Sequence, residues 1–171
     1  MTSSCPAVLI GGVSKTLILA RHAEAEFDAI TDAARRLTAK GQACAIKLGF
    51  ELAKRVPAVD LAIVSAAART QETYSLAAQS LPVAAYERSA DLYNASVGEL
   101  LASVAELAPE LDTVLFVGHE PTISGAGSVL TSQPAPADAL AFGIPTGTAL
   151  VLAMPAGWQG PGDLLEVIYT H

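Results

Sequence analysis

The sequence predicts an α/β fold, a three-layer sandwich with a mostly parallel central sheet, helices on both of its faces and a C-terminal antiparallel hairpin. Short, continuous apolar runs alternate with helical stretches along the 171 residues. Apolar runs without a polar face are typical of strands buried in the middle of a sheet. Strand–helix alternation of this kind indicates a parallel sheet covered by helices.

Six segments have the composition of strands. In chain order they are Thr16–Ala20, Asp60–Ser65, Val83–Tyr86, Thr113–Gly118, Thr148–Met154 and Leu164–Tyr169. The last two are separated by Pro155–Asp163, which is rich in Gly and Pro. This connection is too short for a helical crossover, so the two strands are expected to form an antiparallel hairpin.

Four helices are predicted between these strands. They are Gly41–Arg55, Arg69–Gln79, Val97–Leu107 and a helix that begins at Glu120-Pro121. Thr38 is the expected N-cap of the first helix, and Pro121 suits the first position of the fourth. Residues 132–147 form the one long irregular segment, which is predicted to be a surface loop.

The length fits a single domain covering residues 1–171, with residues 1–15 as an N-terminal tail. No apolar run reaches the roughly 18–20 residues that span a membrane, and Ala7–Val13 makes a poor signal peptide. Cys5 and Cys44 form neither a disulfide framework nor a metal-ligand spacing. Two free thiols and no membrane association are therefore expected, in a reducing cytoplasm.

The charge distribution limits the kinds of partner. The net charge is −7, which argues against a nucleic-acid-binding protein. All ten Lys and Arg residues lie between Lys15 and Arg88, while residues 89–171 contain nine acidic residues and no Lys or Arg. If the protein binds an anion, arginines from the first half of the chain must supply most of the positive charge.

Residues that can take part in catalysis or ligand binding follow three of the predicted strands. Ligands of open α/β sheets bind beyond the C-terminal ends of the parallel strands. Arg21 and His22 follow the first strand, Ser65–Arg69 follows the second, and His119 follows the fourth. One histidine at a strand end could be purely structural. Two at matching strand ends, in a chain whose remaining histidine is the C-terminal His171, favour a functional site.

The arginines at these strand ends suit an anion. The planar guanidinium groups of Arg21 and Arg69 match phosphate oxygens and stay charged at any working pH. The helix that begins at Glu120-Pro121 is expected to direct free N–H groups and its positive dipole end to the same rim. The sequence therefore predicts a pocket for a phosphate-like anion at this edge of the sheet.

Five segments resemble motifs of the histidine phosphatase superfamily, the phosphoglycerate mutase-like group. They are LARHAEA (residues 19–25), RLTAKG (36–41), SAAARTQET (65–73), VGHEP (117–121) and PTG (145–147). Their order is that of the family, and the match spans residues 16–154. The short chain, without a large insertion between Arg69 and His119, is most similar to the small SixA-type phosphohistidine phosphatases.

This resemblance implies that His22 is the nucleophile and that Arg21, Arg69 and His119 complete a catalytic phosphate-binding pocket, without metal or cofactor. A neutral imidazole can attack phosphorus and carry the phosphoryl group as a covalent intermediate. The expected substrate is phosphohistidine on a signalling or phosphotransfer protein. The alternatives are a small phosphorylated metabolite, or an inactive phosphate-binding module. A mutase is less expected, because it needs more basic groups.

Two features depart from the family pattern or leave roles open. Ala23 replaces the glycine that commonly follows the nucleophile, and ordinary backbone dihedrals would accommodate it. A general acid is not evident: Glu120 is the first candidate, as an acid, a helix cap or an orienting group for His119. Glu24 and Glu99 are further candidates that could simply be solvated, and Asp28 could line the pocket or cap a turn. The absence of HxxH and HExxH spacings disfavours a metal site.

Overall fold

The computed structural model describes residues 14–131 and 140–171. Within these ranges a six-stranded sheet and four α-helices are present, as the sequence predicts. The strands are β1 (Lys15–Arg21), β2 (Val59–Ser65), β3 (Val83–Ser89), β4 (Thr113–Gly118), β5 (Ala149–Met154) and β6 (Asp163–Ile168). The helices are α1 (Ala39–Ala53), α2 (Ala68–Ala77), α3 (Val97–Ala105) and α4 (Thr122–Leu130). Asp32–Ala34 and Asp91–Tyr93 form short 3₁₀ helices.

The strand order across the sheet is β3-β2-β4-β1-β5-β6. The pairs β2–β3, β2–β4 and β1–β4 are parallel, whereas β5 runs antiparallel to β1 and β6 antiparallel to β5. The predicted mostly parallel sheet and its C-terminal antiparallel hairpin are confirmed. Because β2, β4 and β1 are neighbours and parallel, their C-terminal ends share one edge of the sheet.

Two hydrophobic cores cover the two faces of the sheet. Side chains alternate between the faces of a strand, and β1 follows this rule with four buried aliphatic residues. Leu17 and Leu19 pack in the core under α3 and α4, while Ile18 and Ala20 pack in the core under α1. Burial on both faces explains why the central strands lack a polar alternation in the sequence.

The helix boundaries agree with the prediction to within a few residues. Thr38 caps α1 as expected, accepting a 2.9 Å hydrogen bond from the amide of Gly41. The fourth helix differs, because Pro121 is its N-cap and the helix begins at Thr122. Pro121 has φ −86° and ψ 5°, outside the helical region, so it precedes the first helical turn.

Residues 140–147 contain no helix or strand, as the predicted loop at 132–147 requires, but the expectation that this loop lies on the surface is wrong for two of its side chains. Leu140 and Ile144 are buried in the core that contains α3 and α4. The high Gly and Pro content of the segment gave no indication that these two aliphatic side chains are buried. Gly143 and Gly147 have φ of 82° and 72°, so they supply the turns that direct the chain inward and on to β5. Residues 132–139 lie outside the described residues.

The N-terminal expectations are tested only in part. Lys15 belongs to β1, so the predicted tail of residues 1–15 overlaps the sheet by one residue. Residues 1–13, including Cys5, lie outside the described residues. Cys44 is a buried free thiol, as predicted. In the described part of the chain, no helix is long and apolar enough to cross a membrane.

The close contact between α1 and α2 can be tested by a substitution at Gly49. A Cβ atom on Gly49 of α1 would lie 2.2 Å from the carbonyl oxygen of Ala77 in α2. Gly49→Ala should therefore lower the free energy of unfolding by about 1–3 kcal/mol, the usual cost of overpacking, although alanine favours a helix by about 1 kcal/mol. Urea denaturation measures this change.

Gly98→Ala is the matched control, because a Cβ on this exposed glycine of α3 meets only the Ser96 hydroxyl, at 4.0 Å. It should raise the free energy of unfolding by about 0.5–1 kcal/mol. A Gly49→Ala protein as stable as Gly98→Ala would show that the two helices do not approach as described.

Candidate active site

The two strand-end histidines lie side by side at the centre of the sheet edge. Arg21, the last residue of β1, is in register with Gly118, the last residue of β4. The amide of His22 donates to the carbonyl of Gly118 at 3.1 Å, which extends the pairing by one step. The rings of His22 and His119 are therefore only 5.3 Å apart between centroids.

His22 is held as a neutral imidazole with a defined tautomer. Its Nδ1 lies 2.7 Å from the carbonyl oxygen of Ala23. A carbonyl can only accept, so Nδ1 carries the ring proton and Nε2 presents its lone pair. Burial is the largest cause that lowers the pKa of His22, to about 3, and the hydrogen bond with the Ala23 carbonyl opposes this shift. This ring is suited to nucleophilic attack through Nε2.

The backbone at His22 and Ala23 is fixed by two further hydrogen bonds to other parts of the chain. The amide of Gly147 donates to the carbonyl of His22 at 2.9 Å, and the amide of Ala23 donates to the Thr73 hydroxyl at 3.0 Å. That hydroxyl in turn donates to the carbonyl of Arg69 at 2.7 Å. No described residue other than glycine has a positive φ, so Ala23 fits its position at ordinary dihedrals, as the sequence analysis expects.

Arg69 reaches the same edge from the first turn of α2, and an acidic partner holds it. Its guanidinium donates to the main-chain carbonyl of Asp32 at 2.8 Å and to the carboxylate of Asp32 at 3.0 Å. Tyr93 donates to the same carboxylate at 2.6 Å. This bond, with those from Arg35 and Arg69, holds the pKa of Asp32 well below its usual range.

Arg21 is half-buried at the end of β1. One terminal nitrogen donates to the carbonyl of Ile144 at 2.6 Å, so the segment before β5 positions the guanidinium. The Nε atom is buried without a hydrogen-bond partner among the described residues. Burial lowers the pKa of Arg21 and the nearby Glu120 opposes that effect, but a guanidinium stays protonated in proteins.

His119 is oriented by Ser65 and Tyr93. Its Nε2 lies 2.8 Å from the Ser65 hydroxyl, and its ring meets the Tyr93 ring edge-on at 5.5 Å between centroids. Burial, and next the positive charge of Arg69, lower the pKa of His119 to about 4. This ring is also neutral near pH 7, so it can serve as a hydrogen-bond donor through only one of its nitrogens.

The carboxylate of Glu120 is engaged by the start of α4. It accepts from the amide of Ser124 at 3.1 Å and from the Ser124 hydroxyl. The amide of Ile123 is used by the carbonyl of His119. These two N–H groups are therefore not offered to an anion, contrary to the expectation for this helix end, because the chain itself satisfies them.

The remaining acidic candidates are held elsewhere or are exposed. Glu24 accepts from Thr38 and lies near Lys40, and Glu99 forms the capping box of α3. Asp28 is exposed, and the carboxylate that reaches Arg69 belongs to Asp32.

The sequence analysis assigned no role to four residues of this site: Ser65, Thr73, Asp32 and Tyr93. The first two lie within the matched segment at residues 65–73, where their hydroxyls could have been proposed as supports. The other two lie in short 3₁₀ helices far apart in the chain, and no local pattern marks them. Tertiary packing alone brings them together at Arg69.

A cavity of about 960 Å³ has Arg21 in its lining, but neither His22 nor His119. Glu120, Pro145 and the exposed Phe142 line it together with Arg21. Among the described residues, no group of three or more His, Cys, Asp or Glu side chains is placed to hold a metal ion. Independence from metals stays a prediction.

Comparison with known proteins is consistent with this architecture. No family model matches the chain. An uncharacterized protein of Mycobacterium leprae is 33% identical over 147 residues, covering 81% of this chain and 89% of that protein. A Nakamurella multipartitia structure that carries the provisional name phosphohistidine phosphatase SixA is 33% identical, with a TM-score of 0.82 and coverage of 94% and 98%.

A second structure under the same provisional name, from Agrobacterium tumefaciens, is 26% identical and has a TM-score of 0.79. It covers 91% of this chain and 98% of its own. The chain therefore belongs to the histidine phosphatase superfamily, the phosphoglycerate mutase-like group. Within this superfamily the chain is a phosphatase.

The lowered pKa of His22 predicts a pH dependence of stability. Between its ordinary value of 6.5 and its folded value of about 3, the unfolded chain binds the proton and the folded chain does not. The free energy of unfolding should therefore fall as the pH is lowered from 6.5 toward 4. Replacing His22 by Asn should make this fall shallower, while His119 retains a similar contribution.

Urea denaturation at several pH values checks this, with His171→Asn as the control at an exposed histidine. The control should follow the wild-type profile. If the His22→Asn profile runs parallel to wild type across this pH range, His22 is not buried as a neutral ring.

Proposed function

We propose that the protein is a phosphohistidine phosphatase that works through a covalent phosphohistidine on His22, without a metal. The observation that carries the proposal is a pair of neutral histidines 5.3 Å apart, the buried His22 and the half-buried His119, flanked by Arg21 and Arg69. A neutral nucleophile beside fixed cations is the arrangement that transfer of an anionic phosphoryl group requires.

The reaction takes two steps. First, Nε2 of His22 attacks the phosphorus, a P–Nε2 bond forms, and the P–N bond of the substrate phosphohistidine breaks. The leaving imidazole departs neutral after taking a proton from solvent. Water then attacks the phosphorus, the P–Nε2 bond breaks, and inorganic phosphate and neutral His22 are released. The water's second proton leaves with the phosphate or passes to solvent.

The two arginines and His119 stabilise charge on the equatorial oxygens in both steps. Arg69 is bound to Asp32 before substrate arrives, with two hydrogen bonds of 2.8 and 3.0 Å. Asp32 is half-exposed, so its carboxylate can return to water when phosphate oxygens take over the guanidinium. The ion pair thus positions Arg69 before substrate binds. The Asp32 carboxylate also competes with the substrate for the guanidinium, so only a strongly anionic group displaces it.

The substrate class follows from the acidic groups around the histidines. An alkyl phosphate needs a positioned acid to protonate its leaving oxygen, whereas imidazole leaves readily once protonated by solvent. Glu120 is engaged by Ser124, Glu24 by Thr38, and Glu99 by the start of α3. These contacts favour phosphohistidine over a sugar phosphate, and the related proteins with the SixA name support the same choice.

The first prediction from this mechanism concerns the covalent intermediate. Brief incubation with ³²P-labelled phosphohistidine peptide, followed by a denaturing quench, should leave label on the protein that is acid-labile and base-stable. The His22→Ala protein should take up no label and turn over no substrate. Turnover by this variant at the wild-type rate would rule out His22 as the nucleophile.

A second prediction concerns the other members of the pocket. Arg69→Ala and His119→Ala should each lower kcat by roughly 10²–10³, the cost of removing one preorganised charge-stabilising donor. Arg55→Ala is the matched control, because Arg55 is also held in an ion pair, with Glu166, but lies beyond the end of α1. It should turn over at the wild-type rate. Full activity in either pocket variant would remove that residue from the phosphate site.

A third prediction separates the substrate classes. Phosphohistidine and activated aryl phosphates should be hydrolysed much faster than simple sugar phosphates. Glu120→Gln should keep phosphohistidine turnover within about tenfold of wild type, since losing a true general acid typically costs 10²–10⁴. Fast hydrolysis of an alkyl phosphate that collapses in Glu120→Gln would instead identify a small phosphorylated metabolite as the substrate. EDTA should not change any of these rates.

A further inference from the structure

We propose that Ser65 is a positioning residue that sets the tautomer of His119. Its hydroxyl donates to Nε2 of His119 and thereby keeps the ring proton on Nδ1, the nitrogen left to donate to a phosphoryl oxygen. The inference rests on the proposed function for the identity of that oxygen. The assignment of the proton itself concerns the substrate-free protein.

The fold brings the two side chains together at neighbouring strand ends. Ser65 is the last residue of β2 and is fully buried, and His119 directly follows β4, the parallel neighbour of β2. Ser65 Oγ lies 2.8 Å from His119 Nε2. The carbonyl of Ser65 accepts from the Thr70 hydroxyl at 2.8 Å and from the side-chain Nε2 of Gln71 at 2.7 Å, so the residue is held firmly.

Counting donors and acceptors assigns the proton. A neutral imidazole has one N–H and one lone pair, and a hydroxyl has one proton to donate. Within the described residues, the Ser65 hydroxyl has His119 Nε2 as its single hydrogen-bond partner. If Nε2 carried the proton, the buried Ser65 proton would have no acceptor. If Ser65 donates to Nε2, both groups are satisfied at that contact.

The other ring nitrogen then becomes the donor of the site. His119 Nδ1 is buried and has no hydrogen-bond partner among the described residues. With its proton on Nδ1, the ring offers an N–H to a phosphoryl oxygen held beside His22. The opposite tautomer would offer a lone pair to that oxygen, which repels it. Burial lowers the pKa of His119 to about 4, so a second ring proton does not compensate.

The test reads the tautomer directly and does not depend on turnover. In ¹⁵N-histidine-labelled, substrate-free protein at pH 7, His119 should show a protonated Nδ1 and an unprotonated Nε2. In Ser65→Ala the two ¹⁵N shifts should move toward each other or exchange, and in Ser65→Thr they should stay as in wild type. A wild-type spectrum with the proton on Nε2, or an unchanged spectrum in Ser65→Ala, would overturn the proposal.

Kinetics supply the second readout. Ser65→Ala should lower kcat for phosphohistidine by roughly 10–100-fold, by analogy with the loss of partners that orient metal-ligating histidines, with a smaller change in KM. Thr148→Val is the control, because it removes an equally buried hydroxyl that has no partner among the described residues. Its rate and its His119 shifts should match those of wild type.

The outcomes separate this proposal from the function on which it rests. A changed tautomer in Ser65→Ala with an unchanged kcat would overturn the positioning role of Ser65. The expected tautomers in wild type and Ser65→Ala, together with a wild-type protein that neither hydrolyses phosphohistidine nor labels His22, would contradict the proposed function and leave the proton assignment supported.

Discussion

The parallel pairing of β1 with β4 at the centre of the sheet is the constraint on which the site depends. Because the two strands are in register to their last residues, the histidines that follow them are brought to one place. The same edge receives β2, whose end brings Ser65 and the first turn of α2. Displacing β4 or β2 relative to β1 would separate the nucleophile His22 from the groups that must bind the phosphoryl group.

Burial at this edge gives the histidines their chemistry. Desolvation is the largest cause of the lowered pKa of both His22 and His119, so both rings are neutral where an exposed histidine would be partly charged. Neutrality alone leaves two tautomers, and hydrogen bonds choose between them. The Ala23 carbonyl selects Nδ1–H in His22, and Ser65 makes the equivalent selection in His119. The fixed positive charge then comes from arginine, which burial cannot neutralise.

Much of this arrangement is encoded locally, and part of it is not. The apolar strands, the Thr38 cap and the residues at the strand ends each follow from short segments of sequence, so the sequence predicts the sheet and brings Arg21, His22 and His119 to one edge. The hydrogen bond from Tyr93 to Asp32 joins two 3₁₀ helices, and the two residues are 61 positions apart in the sequence. No periodicity or spacing reports such a contact.

Segment composition gave the wrong expectation at two places, because single residues determine the structure there. The segment before β5 is irregular, as its Gly and Pro content predicts, but it is not wholly on the surface, because Ile144 is buried and its carbonyl positions Arg21. The start of α4 reads as an anion site, but Glu120 occupies the amide of Ser124. The first outcome depends on a contact between distant parts of the chain, and the second on a hydrogen bond between residues only four positions apart.

The central claim is that His22 attacks through Nε2 because Nδ1–H is committed to the Ala23 carbonyl. The most direct measurement is the position of the phosphoryl group on the quenched, ¹⁵N-histidine-labelled phosphoenzyme, determined from ¹⁵N–³¹P coupling and peptide mapping. The structure predicts a single phosphoryl group on Nε2 of His22. A phosphoryl group on Nδ1, or on His119, would contradict the account.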